Sequence, residues 1–166
     1  MINQVNQIFL CSFLFLSLFP VSFAQPASHW VSYPSANQTA YGVYHFRKSF
    51  ELDKVPDKMV IHVSADNRYN LFVNGKRVCY GPAKGDLKTY KYDIIDIAPF
   101  LHIGENLLAA LVFNGGDDKP MAFISVQTAF MLRVENSNFS ELNTNSNWKV
   151  YKNPAYRVIS YHEMLF

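Results

Sequence analysis

Side chains able to do chemistry are few in this sequence, and their spacing limits what they can do. Hydrolysis of a glycosidic bond needs two carboxyl groups at a set separation, one acting as acid and one as base or nucleophile. The acids that come into question are Asp66, Asp86, Asp93, Asp96 and the adjacent Asp117 and Asp118. All sit at or near strand ends or turns, where Asp is common simply because it accepts backbone amides. A serine triad would want Gly-x-Ser-x-Gly at a strand-to-helix turn, and no such run occurs. His29, His45, His62, His102 and His162 are scattered, with none at metal-ligand spacing. Calcium could be sought only at the Asp117-Asp118 loop, and two adjacent Asp in a Gly-rich loop are as a rule just solvated. A glycine loop for phosphate is also missing. We therefore expect no catalytic residue, no metal ligand and no cofactor.

The remaining chemistry is recognition. Asp66-Asn67-Arg68-Tyr69 joins two predicted strands, and Gly81-Pro82-Ala83-Lys84-Gly85-Asp86 follows a predicted hairpin. Asp66, Arg68, Lys84 and Asp86 are the candidate binding residues, because polar side chains on loops held by a rigid scaffold are where ligands are usually met. The plain alternative is that Asp66 and Arg68 form an ordinary surface pair or turn. With a net charge of +2 and no basic cluster, the chain offers nothing to hold nucleic acid.

These loops need elements to carry them, and the elements read as strands. Tyr44, Phe46, Phe50 and Leu52 share one face, with Lys48 the exception. Met59, Ile61, Val63 and Ala65 alternate with Val60, His62 and Ser64, which places His62 on the solvent side. Leu71-Phe72-Val73 and Val78-Cys79-Tyr80 flank Asn74-Gly75, a dipeptide that tolerates the positive φ of a tight hairpin. Thr89 to Ile95 resumes extended structure, and Asp96 can cap a short turn through Ala98-Pro99-Phe100-Leu101. Leu107 to Phe113 is apolar enough for a central strand buried on both faces. Met121 to Val134 would supply one or two strands, and Trp148 to Tyr151 a last one before Pro154. Six or more short strands separated by turns predict an all-β sandwich or barrel.

The first 46 residues contain no Lys, Arg, Asp or Glu, although the chain as a whole is 17% charged. Ile8 to Phe19 is almost continuously apolar and stops at Pro20, followed by Ser22-Phe23-Ala24. A run of about a dozen residues is too short to span a bilayer but suits the apolar core of a signal peptide. Residues 1–24 are therefore expected to be a cleaved signal, leaving 25–166 as the exported chain, periplasmic or extracellular, without a membrane span. A buried core helix is the alternative for this run. Cleavage would remove Cys11 and leave Cys79 unpaired in a strand, so a hydrophobic core and no disulfide must hold the domain.

In order along the chain, Tyr44-His45-Phe46-Arg47-Lys48-Ser49-Phe50, Ala65-Asp66-Asn67-Arg68-Tyr69, Phe72-Val73-Asn74-Gly75-Lys76, Gly81 to Asp86, Asp96-Ile97-Ala98-Pro99-Phe100-Leu101 and Gly104-Glu105-Asn106 form a recognisable series. The series resembles the N-terminal β-sandwich of bacterial α-L-rhamnosidases (glycoside hydrolase family 78), and the match runs from about Trp30 to Phe166. The resemblance implies a jelly-roll, galactose-binding-like antiparallel sandwich. Such a domain is an accessory to a separate (α/α) barrel that carries the catalytic carboxylates. The barrel is not in this sequence, so the chain is expected to be a fragment that stops before catalysis and leaves the sandwich incomplete at its C-terminus. Its implied partners are rhamnose-containing or related glycans and the catalytic domain. An autonomous, lectin-like sugar-binding module and a remnant without independent function stand as the alternatives.

Overall fold

The computed structural model describes residues 27–35 and 37–157. The expected signal segment and the C-terminal run after Arg157 lie outside the described residues. The chain is all-β and antiparallel, as the alternation predicts. Its strands are β1 (Gly42–Leu52), β2 (Val60–Ala65), β3 (Arg68–Val73), β4 (Lys76–Gly81), β5 (Asp93–Asp96), β6 (Gly104–Asn114), β7 (Phe130–Val134) and β8 (Lys149–Lys152). They form a five-stranded sheet in the order β4-β3-β6-β1-β8 and a three-stranded sheet in the order β5-β2-β7.

The core lies between the sheets. Phe46, Leu71, Leu108 and Val112 come from the larger sheet and Ile61, Val63, Phe130 and Leu132 from the smaller, all fully buried. Because side chains alternate along a strand, each strand gives every second residue to this layer. Phe130 sits where the sheets meet, with ring centroids 5.6 Å from Phe46, 5.5 Å from Trp148 and 6.2 Å from Tyr69.

The predicted hairpin forms, with Asn74 at φ 51° and Gly75 at φ 79°. Asn74 also clamps the hairpin to the start of β6. Its Nδ2 donates to Asn106 Oδ1 at 2.8 Å and to the Phe100 carbonyl at 2.9 Å, while its Oδ1 accepts from the Leu107 amide at 2.8 Å. Asp96 caps as expected, accepting from the Ala98 amide at 3.1 Å and from the Met59 amide at 2.9 Å. His62 is half-buried on the outer face, its Nε2 2.7 Å from Glu135 Oε1 and its ring stacked on Tyr92.

Two expectations are corrected. β6 is central, but only one of its faces is sealed: Leu108, Ala110 and Val112 are buried, whereas Leu107, Ala109, Leu111 and Phe113 stay half-exposed because no layer of the described residues covers that side. Of the one or two strands expected in Met121 to Val134, one forms, β7, and the segment before it is a loop whose backbone reaches side chains at the sandwich end rather than a ladder. Of Thr89 to Ile95, only the stretch from Asp93 is strand, because Thr89 and Tyr90 serve a turn and a side-chain contact instead.

Candidate functional site

Antiparallel succession puts the β2–β3, β4–β5 and β6–β7 connections at one end of the sandwich, beside the entry to β1. Asp66, Arg68, Lys84 and Asp86 therefore share one end although twenty residues separate the first from the last. A buried polar network holds the loops together. The Asp66 side chain is 1% exposed. Its carboxylate accepts from Tyr90 Oη at 2.8 Å, from the Val126 amide at 3.3 Å, from Asn67 Nδ2 at 3.3 Å and from Ser125 Oγ. Ser125 in turn accepts from Asn114 at 3.1 Å, and Asn114, fully buried, also bonds Thr128 at 2.8 Å and accepts from the Gly116 amide at 2.9 Å. Asp66 thus lies beneath the surface as the hub that ties the three connections.

Arg68, Lys84 and Asp86 line a small recess of about 40 Å³ together with Asn67, Tyr90 and Phe123. Arg68 Nη1 donates to the Pro82 carbonyl at 2.8 Å, and its guanidinium carbon lies 5.3 Å from the centre of the Phe123 ring. Lys84 Nζ sits 5.1 Å from the same ring centre. Asp86 is exposed but engaged, accepting from the Lys88 amide at 2.7 Å and the Thr89 amide at 2.8 Å, which fixes the loop in a turn. Asn67 adopts φ 75°, and its Oδ1 is a buried acceptor with no partner among the described residues. That oxygen is the unmet hydrogen-bonding capacity of this end of the molecule.

On the far side of Tyr90 a larger recess, about 290 Å³, opens between Trp30, Leu87, Val126 and Gln127. Trp30 is 42% exposed, and its ring centroid lies 5.1 Å from that of Tyr90. Its position is set by its neighbours: the His29 amide donates to Thr144 O at 2.9 Å, and Val31 exchanges two backbone bonds with Phe130. A recess of this size admits one sugar-sized ring, whereas the smaller one admits little more than a water. Trp30, Asn67, Tyr90 and Phe123 are residues that the sequence reading did not single out. Phe123 was hidden in a segment expected to be strand, and Trp30 and Tyr90 had no pattern to distinguish them from core aromatics.

Proton affinities here follow burial. The Tyr90 hydroxyl is pushed up to about 12 by burial and by the Asp66 carboxylate. Tyr69, whose Oη donates to Asp93 Oδ2 at 2.5 Å, is pushed far above the ordinary tyrosine range by burial and that same bond. Burial also raises the Cys79 thiol, 3.6 Å from Tyr69 Oη. A folded pKa above the unfolded one gives stability that is complete below the unfolded pKa and lost as pH rises toward the folded one. Stability should therefore fall steeply above about pH 10, where unfolded tyrosine ionises. Denaturant titrations at pH 9, 10 and 11 should show this fall, shallower in Tyr90→Phe; a parallel fall in both proteins would contradict it.

Every acid considered for catalysis except the Asp117-Asp118 pair is spent on structure: Asp66 and Asp86 as above, Asp93 on Tyr69 and Asp96 on two amides. Asp117 and Asp118 lie in a short 3-10 turn. Among the described residues no three His, Cys, Asp or Glu side chains gather as metal ligands, and no helix is long and apolar enough to cross a membrane.

No protein-family model matches the sequence, and no curated protein matches it either. Solved structures do. A GH78 family rhamnosidase of Bacillus sp. GL1 is 25% identical over 78% of this chain, with a TM-score of 0.68, and the match covers 14% of that enzyme. The α-L-rhamnosidase from Dictyoglumus thermophilum aligns at 18% identity over 79% of this chain and 16% of its own, with a TM-score of 0.55. A lectin of Pleurotus ostreatus shares the fold at 22% identity and TM-score 0.51, over 81% of this chain and 37% of the lectin. The chain thus corresponds to a domain-sized part of the rhamnosidases, and it spans less than a fifth of their length.

Proposed function

We propose that the chain is a non-catalytic, carbohydrate-associated accessory domain of an α-L-rhamnosidase-like glycoside hydrolase, exported from the cell. Its role is to support the catalytic barrel and to present a sugar-binding end. The observation that carries the reading is the domain-sized likeness to the Bacillus enzyme. The engaged state of Asp66, Asp86, Asp93 and Asp96 supports it, since carboxylates bound to amides and hydroxyls are poorly placed to shuttle protons.

The sugar-binding end also favours a second reading, an autonomous module of lectin type. Trp30 and Tyr90 supply ring faces for the apolar side of a sugar, while Gln127 and Lys84 supply hydrogen-bonding groups at the rims of the two recesses. One experiment addresses both readings. The full chain is given an aryl rhamnoside and, in parallel, titrated by calorimetry with L-rhamnose and galactose, with and without calcium. No rhamnose should be released, and Trp30→Ala should weaken millimolar binding about tenfold, roughly the 1–1.5 kcal/mol of one aromatic contact. Turnover that survives repurification and vanishes with a single carboxylate substitution would overturn the accessory reading. Absence of heat at millimolar sugar would remove the module reading and leave structural support alone.

A further inference from the structure

The outer face of the five-stranded sheet carries a feature that the end loops do not explain. Strand register aligns two rows across it. The first reads Tyr80, Asn70, Leu111, His45, Tyr151 from β4 to β8, and the second Arg77, Phe72, Ala109, Arg47, Lys149. Between β3 and β8 the rows floor an open groove of about 920 Å³, whose charged lining residues are Arg47 and Lys149. Tyr80 and Tyr151, the two ends of the first row, are 71% and 57% exposed. Arg47 and Lys149 stand directly opposite each other, and no carboxylate pairs with Arg47, Lys149 or Arg77 among the described residues. Like charges opposite one another destabilise a sheet. The row is therefore a cost to the fold that an anion lying across the strands would relieve.

We propose that this face binds an anionic polysaccharide, a chain of uronic acid-type sugars running across the strands. The second row spans four strand spacings, roughly 19 Å. A pyranose chain repeats on the scale of one strand spacing, so several carboxylates meet Arg77, Arg47 and Lys149 while sugar faces rest on Phe72 and Tyr151. Asn70 offers its amide to hydroxyls along the first row and His45 its Nδ1, the other ring nitrogen lying 3.1 Å from Asn153 Nδ2. The half-exposed apolar centre of Phe72, Ala109 and Leu111 is flanked by unpaired cations and by the exposed Tyr80 and Tyr151, so the face offers a sugar chain both ring faces and charges. The choice of a glycan over an acidic protein rests on the carbohydrate-associated reading above, whereas the charge complementarity does not.

The test is calorimetric titration of the full chain with oligogalacturonate, with its methyl-esterified form and with polyglutamate, at two salt concentrations. Oligogalacturonate should bind, more weakly at high salt, and esterification should abolish most of the affinity. Arg47→Gln and Lys149→Gln should each cost about two- to fivefold, the range of an exposed ion pair, and the double variant about tenfold, while both melt no lower than the parent. Trp30→Ala should leave oligogalacturonate binding unchanged, so failure of the end-loop site and failure of this face are read separately. Equal affinity for the ester, equal affinity for polyglutamate, or no binding would overturn the proposal. So would self-association in sedimentation that Lys149→Gln relieves, which would assign the face to a second copy of the chain.

Discussion

Phe130→Ala is expected to cost the fold about 3–5 kcal/mol, the range for emptying a buried aromatic site. The expectation comes from place as much as size. Phe130 is fully buried, it reaches from the three-stranded sheet to rings on β1 and β3 of the five-stranded sheet and to Trp148, and its backbone exchanges two bonds with Val31. Truncation would leave a cavity between layers that twisted sheets cannot close by simple approach. Since a domain of this size holds only about 5–15 kcal/mol in total, urea midpoints should fall sharply, and Phe130→Leu should recover a good part of the loss. A drop below about 1 kcal/mol would mean that contact between the sheets is not what holds the sandwich together.

Asp66→Ala is the second large effect, and it couples stability to the proposed binding end. Removing the carboxylate leaves Tyr90 Oη, Ser125 Oγ and the Val126 amide without their shared acceptor in a partly buried setting. Deleting the acceptor of several charge-assisted bonds should cost about 3 kcal/mol or more, whereas Tyr90→Phe should cost only about 1–1.5 kcal/mol. The two substitutions should be non-additive, because Tyr90→Phe made on top of Asp66→Ala removes a bond already gone. Both should weaken sugar binding through Trp30, whose recess has Tyr90 as a wall. Additive effects in a double-mutant cycle, or unchanged binding in Asp66→Ala, would show that the hub does not hold the end loops in place.

The candidate site was partly legible in the sequence. Lys84 and Asp86 could be placed on a loop because Asn74-Gly75 fixes a hairpin and Gly81-Pro82 ends β4, whereas Arg68, read as part of a connection, opens β3. Asp66 was legible as a residue of interest but not as a hub, since its partners Tyr90, Ser125 and Val126 come from connections 24 to 60 residues away. Phe123 was hidden for a related reason. Its segment has the apolar content of a strand, yet the ring packs under Arg68 and Lys84 at the sandwich end, an arrangement that local pattern does not encode. The reading of Leu107 to Phe113 failed in the same way, because apolarity on both faces shows only that neither face demands water, not that something covers it.

What the sequence determined by itself is the class of fold and the punctuation of its strands. A period of two is a local property, and so are the positive φ of Asn74 and Gly75 and the reach of Asp96 to the Ala98 amide. The tertiary structure decided everything that depends on which residues lie opposite which. It brought three loops to one end around Asp66, and it set Arg47 against Lys149 across β1 and β8. It also left the outer face of β6 open. The physical reason is that strand pairing joins residues far apart in the chain through backbone bonds that are alike in every strand. Local side-chain pattern says which residues prefer burial, and only the closed set of pairings says beside what.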